Sequence, residues 1–271
     1  MRANIHNFSM AYEDVGEGHP ILLIHGFPFN REMWRPQIEA LSQNYRVLAP
    51  DLRGFGDSEA VPGPYWMDAL ADDCAGLFYE ADIEEPVVVC GLSMGGYIAM
   101  ALFRQHSPQL RGMILAATRA GADSPEARQR RDEMAEKARQ EGVEAVVEDM
   151  LPNVLAPGTY QDNHDLVDFV ERMMKRTSLE GMVGALIGMK ERPDSTITLQ
   201  DNYLPTLILQ GEDDQILGRE EAKYMDENLS HSHLTYLPDA GHLLNLEQPD
   251  LFNQEILRYM EELENREKNG E

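Results

Sequence analysis

A serine enclosed by glycines is the first place where residue types and spacing in this chain suggest covalent chemistry. In Cys90-Gly91-Leu92-Ser93-Met94-Gly95-Gly96, a Gly-x-Ser-x-Gly pattern stands between an apolar run at 86–90 and a helix-like run at 97–102. Strand, tight turn and helix is the setting that presents a strained serine at the tip of a sheet, beside the free N–H groups of a helix start. Gly91 and Gly95 suit such a turn, because a side chain at either would strike the neighbouring strand and helix. A serine hydroxyl is a poor nucleophile alone, so the pattern demands a base elsewhere; without one it is a glycine-rich turn with an incidental serine. Two late segments supply partners. An apolar run at 205–210 ends in Gly211-Glu212-Asp213-Asp214, and Asp239-Ala240-Gly241-His242 follows the strand-like run at 234–237. His242 can take the proton of Ser93 and return it to a leaving group. A carboxylate from 212–214 can fix the imidazole tautomer and stabilise the imidazolium.

The elements that must hold these groups read as alternating strands and helices. Residues 3–12 predict an opening hairpin, followed by a turn at 14–18. The continuous apolar run at 20–24 predicts a strand buried on both faces, as parallel strands are, and further strands are predicted at 45–49, 86–90, 113–117 and 205–210. Helical spacing appears at 33–41, 66–79 and 249–262, and residues after 265 are expected to be frayed and solvated. Between 119 and 195 the rhythm breaks, with helices predicted at 126–140, 144–151, 163–177 and 179–190. The expectation is an α/β fold: a mostly parallel, eight-stranded sheet with helices on both faces. Residues 1–118 and 196–271 would form the core, and 119–195 an inserted helical cap, or lid, over the carboxyl ends of the strands. The mixed-sign charges at 128–139 read as a solvated helix face.

Composition narrows the partners. With 48 acidic against 23 basic residues, a formal charge of −25, the chain should repel nucleic acid and anionic membranes. No apolar run is long enough to span a bilayer, and residues 1–10 carry no signal-peptide pattern. Cys74 and Cys90 read as two separate buried thiols, which suits a reducing cytoplasm. No Gly-x-Gly-x-x-Gly or phosphate-binding loop is present, so no cofactor is expected, and the histidines form no metal-ligand set.

His25-Gly26-Phe27-Pro28, Asp51-Leu52-Arg53-Gly54-Phe55-Gly56-Asp57-Ser58, Gly91–Gly96, Gly211–Asp214 and Gly241-His242, in that order, resemble the α/β-hydrolase superfamily over nearly the whole chain. Within it, the chain is similar to small carboxylesterases and 3-oxoadipate enol-lactonase-like proteins. The resemblance implies a Ser93, Asp214, His242 triad, since the family acid stands three residues after the glycine. It also implies an oxyanion hole from the backbone N–H groups of Phe27 and Met94, Pro28 having no N–H to give. Where many relatives carry a proline after the acid, this chain has Ile216-Leu217-Gly218. The implied activity is hydrolysis of small, largely apolar carboxylic esters or lactones through an acyl-enzyme, with oligomeric state left open. Carbon–carbon bond hydrolysis of an anionic dienoate, or a non-catalytic receptor that keeps the triad, are the alternatives. Haloalkane and epoxide chemistry need a carboxylate where Ser93 stands.

The remaining candidates read as structural. His25 would orient the oxyanion loop, Asp51 and Arg53 would stiffen the loop after their strand, and Asp239 would cap a turn. His164, His231 and His233 would lie at the surface. Met173, Met174, Met182 and Met189 would pack the insertion first and line a pocket second. Trp34 fits either pocket or core.

Overall fold

The computed structural model describes residues 1–269. Eight strands form one sheet in the order β1-β2-β4-β3-β5-β6-β7-β8: β1 (Arg2–Ile5), β2 (Phe8–Val15), β3 (Pro20–Ile24), β4 (Arg46–Pro50), β5 (Val87–Leu92), β6 (Leu110–Ala116), β7 (Thr206–Gly211) and β8 (Ser232–Leu237). β1 and β2 are antiparallel to each other and β2 to β4; every later pairing is parallel. The opening hairpin turns on His6 and Asn7, both at positive φ (44° and 70°), the backbone that a two-residue hairpin loop requires. β3, β5 and β7 are buried at every position, which explains the apolar runs at their centres; the polar exceptions in β7, Thr206 and Gln210, are buried with hydrogen-bond partners. Each such Val, Leu or Ile removed from water contributes about 1.5–3 kcal/mol. β8 closes one edge and is half exposed.

Helices cover both faces. α1 (Arg35–Leu41), α2 (Met67–Glu80) and α3 (Met94–His106) follow β3, β4 and β5 in turn. α2 packs on α3, and α1 packs on the last helix of the chain. Between β6 and β7 the chain forms α4 (Pro125–Glu141), α5 (Val143–Met150), α6 (Thr159–Asp162), α7 (His164–Lys175), α8 (Leu179–Lys190) and α9 (Thr196–Gln200). Side-chain caps start the longest of them: Ser124 accepts from the Ala127 N–H, Asn163 from Leu166 and Ser178 from Gly181, which satisfies donors that a helix start leaves unpaired. The four helices expected here are present, joined by two short ones.

α10 (Arg219–Glu227), α11 (Leu244–Glu247) and α12 (Pro249–Asn269) complete the chain. α10 was not foreseen, because seven of its nine residues are charged or polar and only Ala222 and Met225 turn inward. After residue 265 the chain is exposed as expected but not frayed through Asn269: α12 stays helical there, and Arg111 pairs with Glu267 at 3.1 Å and Lys268 with Glu264 at 3.6 Å, while 270–271 lie outside the described residues. Trp34 is fully buried against Phe252, with ring centroids 6.0 Å apart, so it belongs to the core. Cys74 and Cys90 are free and buried. No helix among the described residues is long and apolar enough to cross a membrane.

Candidate active site

Ser93 sits where β5 ends and α3 begins, at φ 55° and ψ −113°, a backbone conformation that side chains other than glycine seldom adopt. Its surroundings enforce the turn. The Ser93 N–H donates to the Ala116 carbonyl at 2.9 Å, and Thr118 Oγ1 donates to the Ser93 carbonyl at 2.8 Å. A Cβ on Gly91 would fall on the Gly95 carbonyl, and one on Gly95 on the Ile24 carbonyl. The two glycines therefore let strand, turn and helix close on one another, as their spacing suggested.

His242 lies in the loop after β8, with 3% of its side chain exposed. Its Nδ1 is 2.9 Å from Asp214 Oδ2 in the loop after β7. Asp214 is held on both oxygens. Oδ1 accepts from the Ile216 and Leu217 N–H groups at 2.8 and 3.1 Å, and Oδ2 also accepts from Gln210 Nε2 at 3.0 Å. Proline at either position would remove one of these donors. Burial pushes the Asp214 carboxyl up, but the facing imidazole and the two amides outweigh it, and the net shift is downward. Asp214 is thus an ionised partner that keeps Nδ1 protonated and leaves Nε2 free to accept. Glu212 pairs with Arg219 at 2.9 Å, and Asp213 and Asp239 are exposed, so of these four acids only Asp214 meets the histidine.

Ser93 and His242 border one cavity of about 310 Å³, together with Phe27. Among the described residues the Ser93 hydroxyl makes no hydrogen bond to another side chain. The N–H groups of Phe27 and Met94 likewise have no acceptor there; Met94 opens α3, so its N–H lies at the positive end of the helix. The Phe27 loop is fixed from behind by fully buried His25, whose Nδ1 meets the Gly26 carbonyl at 2.8 Å and whose Nε2 accepts the Leu52 N–H at 3.0 Å. Burial lowers the His25 pKa to about 4, which keeps it neutral and able to do both. Asp51 accepts the Arg31 and Asp57 N–H groups at 2.8 Å each, and Arg53 grips Asp73 at 2.7 and 2.5 Å. Both act in loop scaffolding, as expected, and neither lines the cavity. His164, His231 and His233 are exposed.

The cavity's outer wall comes from the helices between β6 and β7. Met134 of α4, Met150 of α5 and Met189 of α8 line it, whereas Met173, Met174 and Met182 are buried elsewhere. Three arginines line it as well: Arg119, Arg130 and Arg131. Most of 128–139 is the solvated face expected, but Arg131 turns inward from it and Arg130 stands at the cavity rim. Asp123, whose side chain is fully buried, accepts Arg119 at 2.6 Å and Arg192 at 2.8 Å and pairs with Arg131; Arg192 also lies over the Tyr97 ring, 4.0 Å from its centroid. Burial would raise the Asp123 pKa, but Arg131 and then Arg192 prevail and bring it down to about 2. A signal for this was present: Ala127, Arg131, Met134 and Ala138 share one helical face, so Arg131 stands in an apolar stripe.

Glu247 also went unnoticed in the sequence. Oε2 accepts the Gly241 N–H at 2.7 Å, beside His242, while Oε1 accepts the Ala156 N–H at 2.7 Å and Thr159 Oγ1 at 2.6 Å. Among the described residues, no group of three or more His, Cys, Asp or Glu side chains could hold a metal ion.

Comparison with known proteins agrees with this architecture. A thermophilic esterase from Thermogutta terrifontis, solved with malate bound, is 40% identical and superposes with a TM-score of 0.94 over 97% of this chain and 98% of its own. The enol-lactonase from Burkholderia xenovorans LB400 is 28% identical, with a TM-score of 0.90 over 96% and 99%. 3-Oxoadipate enol-lactonase 2 of Acinetobacter baylyi is 29% identical over 227 residues, 84% of this chain and 83% of its own. Residues 19–249 match the family described as the alpha/beta hydrolase fold, and the chain belongs to that family.

Proposed function

We propose that the protein is a serine hydrolase of small carboxylic esters or lactones, working through an acyl-enzyme. Ser93 Oγ attacks the carbonyl carbon while His242 Nε2 accepts its proton. Asp214 holds the imidazole tautomer and stabilises the imidazolium. The carbonyl oxygen becomes an oxyanion, held by the N–H groups of Phe27 and Met94, which have no competing acceptor to leave. The imidazolium then protonates the departing alkoxide; in a lactone this oxygen stays tethered to the acyl group. Water, deprotonated by His242, attacks the acyl-enzyme and releases the acid. The mechanism requires Ser93 to donate to His242 with substrate in the cavity, and such bonds commonly tighten only in the Michaelis complex. The helices between β6 and β7 act as the cap, since α4, α5 and α8 supply the outer wall.

The observation that carries this reading is the pairing of His242 with Asp214 at 2.9 Å beside a serine held at φ 55° in the same cavity. The esterase and enol-lactonase relatives support the substrate class. Ser93→Ala should lower turnover of a short-chain p-nitrophenyl ester by about 10⁴-fold or more, since triad members act as a unit, while circular dichroism stays unchanged. Undiminished turnover would refute it. Labelling of wild type by a fluorophosphonate with negligible turnover would instead indicate a receptor.

A further inference from the structure

We propose that Thr177, in the turn between α7 and α8, is a positioning residue for the oxyanion hole: from the cap it tethers and polarises a chain of hydrogen bonds that ends at the Phe27 N–H. This rests on the assignment of Ser93 as nucleophile and Phe27 as oxyanion donor. Thr177 is buried, and its Oγ1 donates to the Pro28 carbonyl at 2.7 Å, across 149 positions of sequence. That carbonyl belongs to the peptide group joining Pro28 to Phe29, whose N–H donates to the Gly26 carbonyl at 3.0 Å. The Gly26 carbonyl belongs to the next peptide group, and the N–H of that group is the one Phe27 offers to the oxyanion. One hydroxyl and two amides therefore stand in series, each donating to the next. Bonds in such a chain polarise and strengthen one another by about 10–30% each. His25 Nδ1 holds the same Gly26 carbonyl from the core side at 2.8 Å, so the loop is pinned between core and cap.

The cap turn has other fastenings, which separates this role from simple attachment. Ser178 donates to the Gly54 carbonyl through its N–H at 3.2 Å and its Oγ at 2.8 Å. Arg176 donates to Asp57 at 2.8 Å and pairs with Glu32. None of these bonds reaches residues 25–29. The Thr177 N–H closes the end of α7 on the Met174 carbonyl at 3.2 Å, which fixes where the hydroxyl starts from. Removing that hydroxyl leaves the turn seated but takes away the first donor of the chain. A whole oxyanion donor is worth about 10²–10³ in kcat, so a donor weakened by 10–30% forfeits about two- to eightfold.

The test measures p-nitrophenyl acetate turnover, urea melts and inhibition by an alkyl trifluoromethyl ketone in wild type, Thr177→Val and Thr177→Ser. Ser93 Oγ bonds to the ketone carbon, its proton passes to His242, and the ketone oxygen becomes an oxyanion in the hole, so the inhibitor reads the hole without turnover. In Thr177→Val, kcat should fall about fivefold with KM unchanged, because the weakened contact is made only in the transition state. The inhibition constant should rise by the same factor, and Thr177→Ser should restore both. A lower urea midpoint with kcat and inhibition constant unchanged is attachment alone and overturns the proposal. A rise in KM at constant kcat, or a loss of kcat without loss of ketone affinity, overturns it too. Thr177→Ala, which also lacks the hydroxyl, carries the same expectation if Thr177→Val does not fold. If wild type turns over no ester, the hydrolase reading fails on its own, and the ketone still decides. Binding about fivefold weaker in Thr177→Val supports the chain; equal binding, or none to wild type, overturns it.

Discussion

Asp214→Asn isolates what the acid contributes, because the surrounding hydrogen bonds dictate how the new amide must sit. Oδ1 accepts two backbone N–H groups, from Ile216 and Leu217, so the amide oxygen has to occupy that position. The NH₂ then takes the place of Oδ2, facing His242 Nδ1 at 2.9 Å and Gln210 Nε2 at 3.0 Å. Gln210 can adapt: its Oε1 is buried without a partner, and an amide flip turns it toward the new donor. His242 adapts only by accepting at Nδ1, which moves its proton to Nε2. In that tautomer it cannot take a proton from Ser93. The expected outcome is a fall in kcat of about 10⁴, the size of effect a wrong-tautomer histidine produces in serine hydrolysis, or about 5.5 kcal/mol of barrier. Stability should fall by about 1–3 kcal/mol, since the flip takes Gln210 Nε2 off the Leu217 carbonyl, which it meets at 3.1 Å, and leaves that acceptor unpaired. The assay is turnover of a p-nitrophenyl ester at pH 7.5 beside a urea melt. Activity within tenfold of wild type, in a folded variant, would refute the tautomer argument.

Two further variants probe the scaffold. Gly95→Ala drives a Cβ into the Ile24 carbonyl, and with backbone on both sides the strain should cost about 3 kcal/mol, read as a lower thermal midpoint; an unchanged midpoint would show that the elbow tolerates a side chain. Asp123→Asn should destabilise by about 3 kcal/mol at neutral pH, because it strips the buried carboxylate from Arg192. A carboxyl whose folded pKa is depressed to about 2 stabilises above its unfolded value near 3.8 and loses that contribution as pH falls through 2. The gap in urea midpoint between wild type and variant should therefore close between pH 4 and 2, and a constant gap would contradict it.

Much of the architecture was legible because its signals are local. Apolar runs gave the strands, and the glycines at 91 and 95 gave the turn, since the collisions they avoid involve neighbours a few residues away or an adjacent strand. His242 could be placed because it follows a strand. Asp214 needed the family pattern: nothing in Glu212-Asp213-Asp214 tells which carboxylate turns inward, and the choice is made by the Ile216 and Leu217 amides after the loop has folded. The arginines were hidden for a different reason. Charges of both signs at helical spacing describe α4 whether it faces water or a cavity, and the deciding residue, Asp123, precedes the helix and draws in Arg192 from 69 positions away. Glu247 was equally silent, as two of its three partners lie 88 and 91 residues off.

That glutamate has a mechanical consequence. With one oxygen its carboxylate clasps the main chain beside the His242 imidazole, and with the other the segment that leads from α5 into α6. Roof and base are thereby geared together. A displacement of that segment wide enough to admit a bulky molecule would tug on the histidine's own loop, so the enzyme's tolerance for large substrates and its catalytic alignment are set by the same joint.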